Sequence, residues 1–196
     1  VRDLTGPDSA AHVLVSLARI SRKKRGDMVD ATLSIEELRK KAREDAADVL
    51  KRFWADGRLP VDPIEIARSM GLSVFTSQLG NDTWGMIIGS ASGADIYLDK
   101  DQAPTRMRFS CAHELGHSVD RAAALTPNRG YIDKRSSTGS HNVPAEIYAN
   151  EFAASLLAPE DDMRRMVMRG DSNIEIASVF GISLTSVEYR RQFLGI

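Results

Sequence analysis

The spacing of apolar positions divides the chain into helical and extended segments. In residues 8–20, Ala11, Leu14, Val15, Leu17 and Ala18 recur at helical intervals, with Asp8 or Ser9 placed to cap them. The basic run Arg22-Lys23-Lys24-Arg25 and Gly26 follow as a solvated linker, although such a run can also touch nucleic acid. Ser34 with Glu37 three residues later forms a capping box. It opens a long helix with Ile35, Leu38, Ala42, Ala46, Val49, Leu50 and Phe53 on one face and charges on the other; Gly57 and Pro60 close it. Asp62 then caps a short helix over 63–70, with Pro63 in its first position and Gly71 as its stop.

Extended patterning takes over at 72–76, 84–88 and 94–98, the last two joined by the turn-rich stretch 89–93, which predicts a small antiparallel or mixed sheet. From Pro104 the period is helical again, through Arg108, Cys111, His113 and His117. The polar stretch 126–142 reads as a loop long enough to be a lid. Pro144 starts a helix over 145–157 closed by Ala158-Pro159, and further helical patterns cover 160–169 and 174–194, the second broken at Gly181. Helices and strands that segregate in this way predict an α+β chain.

Charge narrows the functional classes. With 26 Lys+Arg against 27 Asp+Glu, the 196-residue chain carries a net charge of -1, which argues against a surface built wholly for nucleic acid. No apolar run reaches the roughly 20 residues of a membrane-spanning helix. The apolar segment near the start precedes its charges, the reverse of a secretion signal, so a soluble cytoplasmic protein without a targeting segment is expected. Cys111, the lone cysteine, forms no internal disulfide and fits a reducing compartment.

The chemistry concentrates at His113-Glu114-Leu115-Gly116-His117. Histidines four apart on a helix lie about 40° apart around the axis and about 6 Å along it, so both rings can reach one ion. Glu114, beside the first histidine, is then placed as a general base acting on water activated by zinc. A catalytic zinc needs a third protein ligand and an open position. Glu146 is the choice, with Glu151, about 100° further round than Asn150, as the alternative. Asn150, one turn after Glu146, is positioned to fix the tautomer of a ligand histidine. Cys111 lies about 200° round from His113 and should face the core.

Residues 109–117 (FSCAHELGH) and 146–159 (EIYANEFAASLLAP) together resemble the ImmA/IrrE family of metallopeptidases. The likeness extends to 61–71 (VDPIEIARSMG), to the paired strands between Trp84 and Leu98, and to 176–190 (IASVFGISLTSVEYR), covering roughly residues 40–196. It implies a zincin-like core over 40–159 and a C-terminal helical subdomain over 160–196; the N-terminal helix and linker over 1–39 lie outside it. It further implies a zinc endopeptidase that cleaves a DNA-binding repressor of a mobile element or stress response. His113, His117 and Glu146 would hold Zn2+, and Glu114 would be the base. Ala158 stands where the family usually has methionine, and 121–143 looks like an insertion.

Candidates for stabilising the oxyanion are His141 and Tyr131 in the loop and Tyr148 on the helix; His141 could instead be a fourth ligand in a closed site. Substrate backbone would add to a sheet edge, the strand 94–98 being the first choice. Two other classes remain. One is a metal-binding regulator that sequesters a repressor without cutting it. The other is a DNA-binding protein using the helix-turn-helix rhythm of 174–193, with Thr185, Ser186 and Arg190 as base readers, a role less suited to so few reading side chains.

Overall fold

The computed structural model describes residues 33–80, 83–90, 93–124, 131–136 and 143–196, with the backbone alone over 131–136. The helix expected over 8–20, the basic linker and His141 lie outside the described residues.

Helix α1 (Ile35–Phe53) starts at the capping box: Glu37 N–H donates to Ser34 Oγ at 3.3 Å and Ser34 N–H to Glu37 Oε2 at 2.8 Å. Ala42, Ala46 and Val49 bury its inner face, while Ile35 in the first turn stays exposed. Helix α2 (Pro63–Ser69) is capped by Asp62, whose Oδ1 accepts from Ile64 N–H at 2.9 Å.

The sheet that follows is mixed and has four strands. β1 (Ser73–Ser77), β2 (Thr83–Ser90), β3 (Gly93–Asp99) and β4 (Tyr131–Ser136) lie in the order β1-β3-β2-β4. β1 runs parallel to β3, with Ser73 opposite Asp95; β2 runs antiparallel to both β3 and β4. The chain passes from β1 to β2 round the far end of β3, where Leu79 N–H donates to Asp99 Oδ1 at 3.1 Å. Ala94, Ile96 and Leu98 alternate inward along β3, the period of a half-buried strand.

Two sequence expectations change here. A strand, β4, occupies part of the stretch read as a loop. It is held by main-chain pairing to β2, and an edge strand of sequence YIDKRS carries no alternation from which side-chain pattern could reveal it. Strand 94–98 is also not an edge: β3 is paired on both sides, so it cannot accept a substrate strand. The edges among the described residues are β1 and β4.

Helix α3 (Pro104–Ala124) crosses the inner face of the sheet and packs on α4 (Val143–Leu157), which packs in turn on α1. Three further helices close the chain: α5 (Glu160–Arg169), α6 (Asn173–Phe180) and α7 (Leu184–Leu194). The break between the last two falls at Gly181, as the pattern predicts, and Ser183 caps α7 through Ser186 N–H. Arg108 of α3 ties this end to the rest, donating to the carbonyls of Val61 at 2.6 Å and Gly181 at 3.1 Å. The division expected at residue 40 falls inside α1. Met163, Phe180 and Val187 share one core with Leu115 and Phe152.

Helices α3 and α4 approach closely at Gly116. A Cβ built there would lie 3.2 Å from Ala149 Cα and 3.1 Å from a Phe152 ring carbon. Gly116→Ala should therefore lower stability, by up to about 2 kcal/mol: helix propensity favours alanine by about 1 kcal/mol, but overpacking against a backbone atom costs about 1–3. Urea unfolding in the presence of a chelator measures this without any contribution from metal binding.

Candidate metal centre

Because Gly116 lets α3 and α4 approach, Glu146 on the second helix reaches the histidine pair on the first. His113 Nε2 and His117 Nε2 lie 3.1 Å apart. Glu146 Oε2 is 3.4 Å from the former, and its Oε1 is 3.2 Å from the latter. A tetrahedral ion with bonds of about 2.0–2.1 Å separates its ligand atoms by about 3.3–3.4 Å, so the three side chains stand at the spacing of one coordination shell. His113, His117 and Glu146 could thus hold a metal ion, and two imidazoles with one carboxylate suit a transition metal such as zinc.

The histidines are buried, while Glu146 keeps 24% of its side-chain surface exposed. Burial alone would raise the Glu146 carboxyl; hydrogen bonds and charge from His113 and His117 outweigh it and hold the group well below the ordinary carboxylate range. Behind His113, the Asn150 amide oxygen lies 3.1 Å from Nδ1. An amide oxygen only accepts, so Nδ1 donates here, and Nε2, which faces Glu146 and His117, is the atom that would bind a metal.

Glu114 is wholly buried and lies against the β2 backbone: a Cβ at Gly85 would come within 3.1 Å of its Oε1. Glycine at this position is what leaves room for a carboxylate under the strand. Cys111 sits in the core as its helical angle predicts, and burial pushes its thiol well above the ordinary value.

Several expected site residues are engaged elsewhere. Tyr148 points away from the metal ligands and into the α1 interface, where its fully buried hydroxyl donates to Asp45 Oδ2 at 2.6 Å. Burial first, then the charge of Asp45, raises its pKa well above the usual tyrosine value. A hydroxyl committed in this way does not serve an oxyanion. The reason is angular: Tyr148 lies about 200° round α4 from Glu146. Glu151 is neither a ligand nor exposed surface. It is buried, and its Oε1 pairs with Arg190 at 3.3 Å and with Arg43 at 3.6 Å. The same ion pair removes Arg190 from any base-reading role, since the guanidinium is buried and also donates to the Ala158 carbonyl at 3.2 Å. The side chains of His141 and Tyr131 lie outside the described residues.

Sequence reading passed over Gly116, Gly85 and Arg43. For the first a signal existed: glycine inside a helix costs about 1 kcal/mol against alanine, and such a glycine usually marks a close approach.

Comparison with known proteins bears on the family. The IrrE N-terminal-like domain, a peptidase family, matches residues 67–191, somewhat less than the span suggested by the motifs. Among curated proteins no match is found. Among solved structures, a Mycobacterium tuberculosis transcriptional regulator aligns over 91% of this chain at 15% identity and a TM-score of 0.47, and the chain spans only 50% of that protein's length. No described helix is long and apolar enough to cross a membrane. The match runs from the second helix, through the sheet and the histidine helix, into the last helix, and on that extent the chain belongs to the IrrE N-terminal-like family of metallopeptidase type.

Proposed function

We propose that the chain is a zinc-dependent endopeptidase acting on a partner protein, the partner class implied by the family resemblance being a DNA-binding repressor. The observation that carries this reading is the His113–His117–Glu146 donor set at coordination spacing, with the buried Glu114 carboxylate directly following the first histidine. A purely structural site has no use for such a base, which weighs against simple sequestration of the partner.

Zinc, when bound, supplies Lewis acidity and lowers the pKa of water at its open position. The rest of the chemistry belongs to the chain. Glu114 takes the proton of the attacking water on a carboxylate oxygen and returns it to the leaving amine nitrogen. Asn150 keeps His113 in the Nδ1–H tautomer, so that Nε2 is available as a ligand. Burial of both histidines excludes bulk water from their side of the site, while Glu146 marks the side from which substrate enters. The substrate backbone would add to the outer edge of β4, an edge strand paired through β2 to the centre of the sheet.

Three measurements test the reading. Glu114→Gln should retain zinc in metal analysis yet lose about a hundredfold to ten-thousandfold in cleavage of a candidate repressor followed by intact-mass spectrometry; wild-type cleavage by this variant would remove the base assignment. Asn150→Ala should weaken zinc affinity by about 10- to 100-fold in competition with a chromophoric chelator. Tyr148→Phe should cost about 1–3 kcal/mol in urea unfolding and leave kcat/KM unchanged, because its hydroxyl serves Asp45.

A further inference from the structure

A cavity of about 1130 Å³ opens between the first turns of α3, the outer side of α4 and the length of α7. It exceeds the usual size of a small-molecule pocket, which is about 300–1,000 Å³. It adjoins the candidate metal centre at Asn150, which lines the cavity and whose amide oxygen lies 3.1 Å from His113 Nδ1. Phe109, one helical turn before His113, and Ile147, beside Glu146, form apolar wall on that side, and Phe193 and the largely exposed Tyr189 form it on the other.

The charge on the walls is one-sided. Glu151, the one carboxylate among the lining residues, is already held by the buried Arg190 and by Arg43. Arg39 and Arg106 remain, and among the described residues neither has a carboxylate within ion-pair distance. Each instead lies against an aromatic ring: Arg39 is 5.7 Å from the centroid of Phe193, and Arg106 is 4.3 Å from that of Trp84. A guanidinium resting on a ring keeps its N–H edge directed outward, in the fork that takes a carboxylate through two hydrogen bonds. A chain of net charge -1 therefore gathers, in a cleft beside its candidate metal centre, an apolar surface and two arginines that have no carboxylate partner among the described residues.

We propose that this cleft binds a protein segment that carries acidic side chains beside apolar ones, with Arg39 and Arg106 as its charge-reading residues. As the specificity surface for cleavage, the assignment rests on the peptidase reading above. A nucleic acid suits the cleft less well, since two arginines neutralise about two phosphates, whereas strong binders commonly use six or more.

The test is fluorescence anisotropy on the full chain carrying Glu114→Gln, loaded with zinc, so that bound peptide stays intact. The probes are short fluorescein-labelled peptides in which leucine alternates with glutamate, with glutamine or with lysine, together with a labelled single-stranded oligonucleotide. The glutamate peptide should bind about tenfold more tightly than the glutamine one, with the gap closing at high salt. Added Arg39→Glu and Arg106→Glu should reverse the order in favour of lysine. Should that variant fail to fold, the unaltered chain still decides through its glutamate-to-glutamine ratio and its salt dependence. Equal binding of the glutamate and glutamine peptides, or tighter binding of the oligonucleotide, would overturn the proposal. The two readings fail separately. Selective binding without cleavage by the wild type would sink the peptidase reading alone, and cleavage indifferent to charge would sink the cleft assignment alone.

Discussion

The close approach of α3 and α4 at Gly116 is the constraint on which the rest of the site depends. The coordination spacing between the two histidines and Glu146 exists only if two helix backbones come within side-chain-free contact, and Ala149 opposite Gly116 is the complementary small residue. A one-methyl increase at that point acts on a distance that the ligand set cannot absorb, because close-packed interiors transmit displacement instead of damping it. The same logic governs the other wall, where Gly85 of β2 leaves room for the Glu114 carboxylate. Two glycines on different elements thus set how near a ligand helix and a sheet come to the histidine helix. The reactive side chains inherit their positions from that.

Polar groups then fix what the apolar packing brings together. Lys41 of α1 bridges Asp45 at 3.0 Å and Asp120 of α3 at 2.9 Å, while Asp45 accepts from Tyr148 of α4, so three helices meet at one small network. Glu151 performs a similar service further along α4, linking α1 through Arg43 and α7 through Arg190. Removing one partner from such a network leaves a buried charge uncompensated, which costs more than the pair itself contributes. Helix α4 therefore carries two polar faces with separate duties: Glu146 and Asn150 turn to the histidines, and Tyr148 and Glu151 turn to the neighbouring helices.

That division explains what the sequence made legible. That His113, His117, Glu146 and Asn150 come together could be read because helical geometry converts spacing directly into a shared face. Helix starts could be read as well, since Ser34, Asp62 and Ser183 signal caps through local hydrogen bonds alone. The contacts of Tyr148, Glu151 and Arg190 are not legible in the sequence because their partners are distant along the chain: Asp45 lies 103 residues from Tyr148, and Arg190 lies 39 from Glu151. Strand order escaped for the same reason. β1 and β3 pair in parallel across an intervening strand, and no local pattern states which strand will lie at the edge.

Helix α1 lies before the family match, which begins at Ala67, yet it supplies Asp45 to Tyr148 and Arg43 to Glu151 and buries Ala42, Ala46 and Val49 in the common core. In physical terms it is a packing partner of α4, accepting from the Tyr148 hydroxyl through Asp45 and adding Arg43 to the pair that Glu151 already makes with Arg190. Helix α4 is thus divided between the candidate metal centre on one face and the fit of α1 on the other. A chain lacking α1 would leave the buried Tyr148 hydroxyl without Asp45, whereas Glu151 would keep Arg190, so it is the hydroxyl at position 148 that answers to this helix.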